Sequence, residues 1–241
     1  MEVKSRIFTV DGVPFLALTG EVHNSSSSDP ERMSGIWQKA EYLHLNTLAL
    51  PVSWEIVEER EGEYDFSMVD LLIRQARQHH MHIIFLWFGS FKNAQSGYAP
   101  EWVKRDLVRF PRAEIQKGRR KIVLHDFYDV EYSTLSVFSG ETLQHDRAAF
   151  EAFMRHLHEV DFQERTVLMI QVENETGIMG AAREHSDLAD RVYQDGIPGK
   201  FLVCLRSCVE RWISERKLSD SRDIRRTDCI EKWGRWLKKI D

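Results

Sequence analysis

Gln171-Val172-Glu173-Asn174-Glu175 sets two carboxylates and two amides directly behind the apolar run Thr166-Val167-Leu168-Met169-Ile170. That run is too short for a helix and rich in strand formers, so it reads as a buried strand with a polar tip. Carboxylates in such a place are costly unless they are paired or used. Glu175 is the candidate general acid/base. Burial and a neighbouring like charge raise a carboxyl's pKa, and a raised pKa is what protonation of a leaving oxygen requires. Asn174 would orient that carboxyl and donate to a substrate hydroxyl. The plain alternative is that Glu173 and Glu175 pair with Lys or Arg inside a polar interior. In an ideal strand these two glutamates, two residues apart, point to one face.

The elements that must position this tip are legible upstream. Ile7 to Val10, Asp11-Gly12 and Val13 to Leu18 read as a hairpin with an Asp-Gly turn, whose second arm runs into Thr19-Gly20-Glu21-Val22-His23-Asn24. Asp29 is a good N-cap and Pro30 a good first residue for a helix to about His44, with Met33, Ile36, Trp37, Ala40 and Leu43 at helical spacing. Asn46 to Val52 is the next strand, and Glu55 to Tyr64 reads as a polar loop. Ser67 opens a helix with Val69, Leu72, Ile73 and Ala76 on its apolar face, and His82 to Phe88 is a third strand. Residues 104–140 look irregular, with a basic stretch Lys117 to Lys121 and a short strand Ile122 to Leu124. A helix from Gly140 to about Val160 then carries Phe150, Phe153, Met154 and Leu157 on one face. Strands that alternate with helices, each a near-continuous apolar run, predict an α/β fold with a parallel sheet.

Polar and aromatic residues follow every strand: Glu21 and His23; Trp54 and Glu55; Trp87 and Asn93; Asn174 and Glu175. In parallel α/β folds that end of the sheet is where ligands bind.

Composition excludes some functions. The chain has 241 residues, 42% hydrophobic and 29% charged, enough for a sizeable core. A net charge of −5 argues against nucleic-acid or anionic-membrane binding. No apolar run approaches the roughly 20 residues that span a bilayer, and the first residues form no signal-peptide core. The expected location is cytoplasmic. Cys204, Cys208 and Cys229 are few, odd in number and late, as in a reducing compartment, and no metal-ligand spacing accompanies them. His79, His80 and His82 read as surface and helix-end residues rather than ligands.

Four stretches together resemble glycoside hydrolase family 35, the β-galactosidase-like enzymes related to family 42. They are Phe15 to Ser26, Ala49 to Glu55, Leu86 to Asn93 and Tyr98 to Val103. Asn174-Glu175 looks like the acid/base signature at the end of the fourth strand in the wider clan of retaining glycosidases on (β/α)8 barrels. Trp54 to Glu58, Gly62, Asp65-Phe66 and Asp70 resemble that clan's second strand end and following helix. The resemblance covers about residues 6–190. It implies retaining hydrolysis of terminal β-galactosides without metal or organic cofactor, with Glu175 as acid/base. It also implies that Asn174 contacts the 2-hydroxyl and that Trp54, Glu55, Trp87, Asn93, Glu21 and His23 line the sugar subsite.

In the family a second Glu, the nucleophile, closes the seventh strand. Only 66 residues follow Glu175, whereas four more βα units need about 120. The expectation is therefore a partial TIM barrel of about four units over residues 1–195, with a helical, polar tail at 196–241 and no nucleophile. Such a chain is a β-galactosidase-like hydrolase completed by another chain, another retaining β-glycosidase, or an inactive sugar-binding or scaffold remnant. Open sheet edges predict a homodimer.

Overall fold

The computed structural model describes residues 7–93, 95–123, 134–178 and 181–196, together with Gly199 and Val203. The chain divides into two compact units, residues 1–188 and 189–241. Of the expected tail only Gly196, Gly199 and Val203 are described; the three cysteines and the helices expected near 201–213 and 233–240 lie outside the described residues, apart from Val203, which is helical. The sheet, its helices and the site all belong to the first unit. Among the described residues no helix is long and apolar enough to cross a membrane.

The hairpin forms as β1 (Thr9–Val10) and β2 (Val13–Pro14), antiparallel across Asp11 and Gly12. Both turn residues have positive φ, 51° and 79°, the geometry that matches a two-residue turn to the strand twist. The second arm does not continue unbroken. It stops at Pro14, and Thr19–Glu21 forms a separate strand, β3, in the main sheet.

That sheet has four parallel strands in the order β3, β4 (Thr47–Ser53), β5 (His82–Phe88) and β8 (Val167–Val172). Right-handed crossovers are what the parallel order demands, and three helices supply them. α1 (Pro30–Tyr42) starts where Asp29 accepts hydrogen bonds from the Glu31 and Arg32 amides. It ends two residues before the expected His44, whose φ of 55° breaks the helix and leaves Leu43 exposed. α3 (Ser67–Gln78) buries Val69, Leu72, Ile73 and Ala76, the four residues its period predicts. α5 (Gly140–Asp161) is capped by the Ser139 hydroxyl and buries Ala149, Phe153 and Leu157, with Phe150 partly buried and Met154 40% exposed.

Two loops contain more structure than their composition implies. Trp54–Val57 is a single helical turn, α2, directly after β4. After the short helix α4 (Glu101–Arg105), the basic stretch is the turn of an exposed hairpin, β6 (Glu114–Lys117) and β7 (Arg120–Val123), pivoting on Gly118 at φ 62°. The last described helix, α6 (Asp187–Asp195), crosses the boundary between the units.

Residues of β4 and β5 alternate between two apolar clusters. Leu48, Leu50, Val52, Ile83, Phe85 and Trp87 pack against α1, α3 and α5. Ala49, Leu86 and Phe88 form a smaller cluster on the opposite face, with Ile84 and Tyr98 against it. A sheet buried on both faces is why these strands read as continuous apolar runs.

One ionic junction sets β8 against α5. Asp161, at the last turn of α5, is buried and accepts from the Thr166 amide (3.1 Å), the Val167 amide (2.7 Å) and Arg77 Nη2 of α3 (2.7 Å). Arg77 Nε also donates to Thr166 Oγ1 (2.9 Å). The carboxylate thus satisfies the first amides of β8 while fixing the angle at which helix becomes strand. Asp161→Ala strands those donors in a buried place and should cost about 2–4 kcal/mol. Urea unfolding checks this, and a loss under about 1 kcal/mol would show that the junction does not depend on Asp161.

Candidate active site

The C-terminal ends of β4, β5 and β8 lie level along one edge of the sheet, while β3 stops beside Ala49, four residues before the end of β4, and the residues nominated from sequence gather there to different degrees. β8 ends at Val172, so the period-two expectation for Glu173 and Glu175 does not apply. Both have left-handed backbone, φ 63° and 51°. A positive φ at a residue other than glycine costs on the order of 1 kcal/mol and persists only where surrounding bonds enforce it. At Glu173 those bonds are visible. Its Oε2 accepts from the Phe91 amide (2.9 Å) and its Oε1 from the Ser90 amide (3.2 Å), both in the loop after β5. Asn174 Oδ1 takes the Asn93 amide at 3.4 Å. Asn93 is itself left-handed, at φ 55°. The turn is thus pinned to the β5 loop through Glu173 and Asn174, while Glu175 stands exposed at its tip.

Beneath the turn lies a residue that the motif reading missed. Asp146 of α5 is 8% exposed, and its carboxylate accepts from Trp87 Nε1 (3.0 Å), the Ser90 amide (2.8 Å) and the Ser90 hydroxyl. A signal was present: Asp146 sits three residues before Ala149 and seven before Phe153, on the apolar stripe of its helix. An acid in that stripe must find internal donors. Gly89 is what lets them meet. A Cβ there would lie 2.3 Å from Asp146 Oδ1, 2.5 Å from Glu173 Oε1 and 2.5 Å from Trp87 Nε1. Burial, then the hydrogen bond and negative charge of Asp146, push the Glu173 carboxyl up to about 9; the Phe91 and Ser90 amides pull the other way.

Trp54 and Trp87 are placed differently from the sugar-lining expectation. Both are fully buried, on the helix side of the sheet. Trp87 stacks on Phe153 with ring centroids 5.6 Å apart. Trp54 donates its Nε1 to Glu58 Oε2 (2.7 Å) and meets Trp102 edge-on. Glu58 Oε1 accepts the Gly62 amide (2.7 Å), so one buried carboxylate ties the tryptophan to the turn at Gly62, φ 79°. The Trp54, Glu58 and Gly62 spacing is therefore a structural lock. An indole N–H needs a partner when buried, and in both cases a carboxylate inside the protein supplies it.

Glu55 is one-third exposed at the edge of the sheet and paired with Lys104 Nζ (3.2 Å), which also donates to the Gly97 carbonyl (3.0 Å). Glu21 and His23 are exposed at the end of β3. Tyr98 joins the set without having been nominated for it: its hydroxyl lies 3.0 Å from Ser25 Oγ, its carbonyl accepts the Glu55 amide (3.0 Å), and its ring leans on Phe88. Among the described residues no cluster of three or more His, Cys, Asp or Glu is placed to hold a metal ion. His79 pairs with Glu41 and stacks on Trp37, and His82 faces the Arg165 carbonyl.

A parallel sheet with helices between its strands is the architecture that the comparisons also find. The model of glycosyl hydrolases family 35 matches residues 7–113. Over that stretch the chain is similar to the glycosyl hydrolases of family 35. Its fold is similar to that of a family 42 β-galactosidase from G. stearothermophilus, with a TM-score of 0.54 at 18% identity over 85% of this chain and 28% of that one. It is also similar to a β-galactosidase from Rahnella sp. R3, with a TM-score of 0.50 at 15% identity over 79% and 24%. No curated protein sequence matches. The chain spans about a quarter of the length of those two enzymes. The sheet and its crossover helices have the fold of part of a (β/α)8 barrel, as in those two structures.

Because Gly89 is the contact point of three polar groups, Gly89→Ala should overpack it. The expected cost is about 1–3 kcal/mol, read as a lower urea midpoint. An unchanged midpoint would mean that Asp146 and Glu173 do not meet over this residue.

Proposed function

We propose that this chain carries the acid/base side of a retaining β-glycosidase site, with Glu175 as acid/base and a terminal β-galactoside as substrate. The observation that carries this reading is the placement of the Asn174–Glu175 turn. It stands at the C-terminal end of β8, bonded to the β5 loop, on the sheet edge where β4 also ends and Glu55 follows. The family match ends at residue 113, so it supports the scaffold, and the role of Glu175 rests on its motif and position.

In the proposed reaction a carboxylate attacks the anomeric carbon as Glu175 protonates the departing oxygen, giving a covalent glycosyl-enzyme. Water then attacks the same carbon while Glu175 takes its proton, and the nucleophile leaves. Asn174 would hold the 2-hydroxyl. We place the nucleophile on a strand other than the four described. Hydrolysis of aryl glycosides by the 241-residue chain tests this. Activity on β-galactosides that falls about 100-fold or more in Glu175→Gln supports it. Preference for another sugar moves the specificity and leaves the mechanism. A folded chain that binds galactosides and cleaves none sinks the catalytic reading in favour of a sugar-binding protein.

The same reading gives a partner. β3 and β8 are the outer strands of the four-stranded sheet, and both run in the same direction. Beside β8, Met169 is 44% and Val172 60% exposed, and a groove of about 460 Å³ is lined by Met154, Leu157, Phe162, Leu168, Met169 and Ile170. A second copy could pair its β3 along this β8 and present a complementary row of strand ends. Light scattering after gel filtration should give twice the 28.3 kDa chain mass, and a monodisperse monomer at micromolar concentration counts against the dimer.

A further inference from the structure

Two carboxyl groups meet beneath the Asn174–Glu175 turn, and among the described residues neither accepts a hydrogen bond from Lys or Arg. Two anions so close cannot both persist in a site shielded from water; one must keep a proton. The donors decide which. Asp146 takes three: the Trp87 indole, the Ser90 amide and the Ser90 hydroxyl. Glu173 takes two amides, and the longer of them, from Ser90 at 3.2 Å, is shared with Asp146, which holds it at 2.8 Å. The negative charge is better solvated on Asp146. Glu173 is then the group with an O–H to give.

We propose that Glu173 is a neutral carboxylic acid that donates to the Asp146 carboxylate, and that this bond positions the turn bearing Asn174 and Glu175 over the end of β5. Glu173 is thus a positioning residue. It grips the β5 loop from one side through two amides and α5 from the other through its proton. Its left-handed backbone is the strain that those bonds hold in place. The positioning half rests on the acid/base reading of Glu175; the shared proton does not.

The titratable groups around it are few. α5 contributes Asp146. The β5 end contributes Lys92, whose ammonium lies 4.7 Å over the Phe88 ring, and the turn itself contributes exposed Glu175. With the Glu173 carboxyl near 9 in the folded chain and near 4.5 when free, the folded state holds a proton between those values that the unfolded state lacks. Stability relative to a chain with Gln at 173 therefore falls as pH rises through that window.

The test follows amide resonances of the 241-residue chain from pH 6 to 10, with urea midpoints at the same pH values. In the wild type the Asn93 and Glu175 amides should shift together with a midpoint more than two units above the ordinary Glu range. Glu173→Gln should abolish that transition and flatten the decline in urea midpoint. Asp146→Asn, which keeps the shape and removes the charge, should lower the transition by at least one unit. Wild-type amides that stay still, or wild-type and Glu173→Gln midpoints that run parallel with pH, overturn the proposal. Hydrolysis reads separately: a titrating pair in a chain that cleaves nothing leaves the proton in place and removes the acid/base role, and an active chain without the transition does the reverse.

Discussion

An acid on the buried face of a helix has to be solvated by the protein, and at Asp146 that requirement organises the end of the sheet. The carboxylate draws the Trp87 indole, the Ser90 amide and the Ser90 hydroxyl to one point. Each lies at or just beyond the last turn of β5, so satisfying Asp146 also sets the course of the loop to Asn93. That loop in turn presents the amides that seat Glu173 and Asn174. A charge on α5 therefore fixes a turn on β8 through a loop on β5, and three elements far apart in sequence are brought into register by one desolvated group.

Parallel pairing makes this transferable from strand to strand. Leu50 pairs with Phe85 and Phe85 with Ile170, so the helix-facing residues of adjacent strands line up. The ends of β4, β5 and β8 line up as well, with Ser53 beside Phe88 and Trp87 beside Val172, while the shorter β3 stops beside Ala49. The site is built at that shared edge, and the two tryptophans beneath it belong to its foundation. Glu58 under Trp54 and Asp146 under Trp87 repeat one device, a buried carboxylate accepting an indole N–H and a backbone amide.

Much of this was legible from residues, and what was not has physical causes. α3 was readable to the residue because an amphipathic helix on a sheet has one period and one buried face. The strands β4 and β5 were readable because both their faces are buried. The β6–β7 hairpin was half hidden, since an exposed strand needs no apolar alternation and its turn reads only as a basic run. α2 was hidden because a single turn is shorter than any period. At the candidate site, the polar residues read at the strand ends include Asn174 and Glu175, which follow the end of β8. Which way Trp54 and Trp87 pack was not legible: Trp54 opens a helical turn too short to show a period, and residue type cannot say which face of β5 Trp87 takes when both faces are apolar. Asp146 was visible as an acid on an apolar stripe, but its partners come from 56 and 59 residues away, a distance no local motif spans.

The described edge is a row of acids and not yet a pair across a sugar. Retaining chemistry needs two carboxyl groups about 5–5.5 Å apart on opposite sides of the anomeric carbon. Strands lie about 4.8 Å apart, so the ends of β5 and β4 stand at roughly 5 and 10 Å from that of β8 in an open sheet, and β3, one strand further, stops beside Ala49, about 13 Å short along the strands. The nearest of these, β5, presents Asn93 where a carboxylate would be required. The next presents Glu55, whose charge is taken by Lys104. Glu21, at the far edge, is separated by the whole width of the sheet. Among the described residues Glu173 is the acid next to this turn, yet it lies beneath Glu175 and binds Asp146 through a proton, and a neutral acid held there is no nucleophile. The opposing carboxylate of the proposed reaction must therefore face Glu175 from outside these four strands.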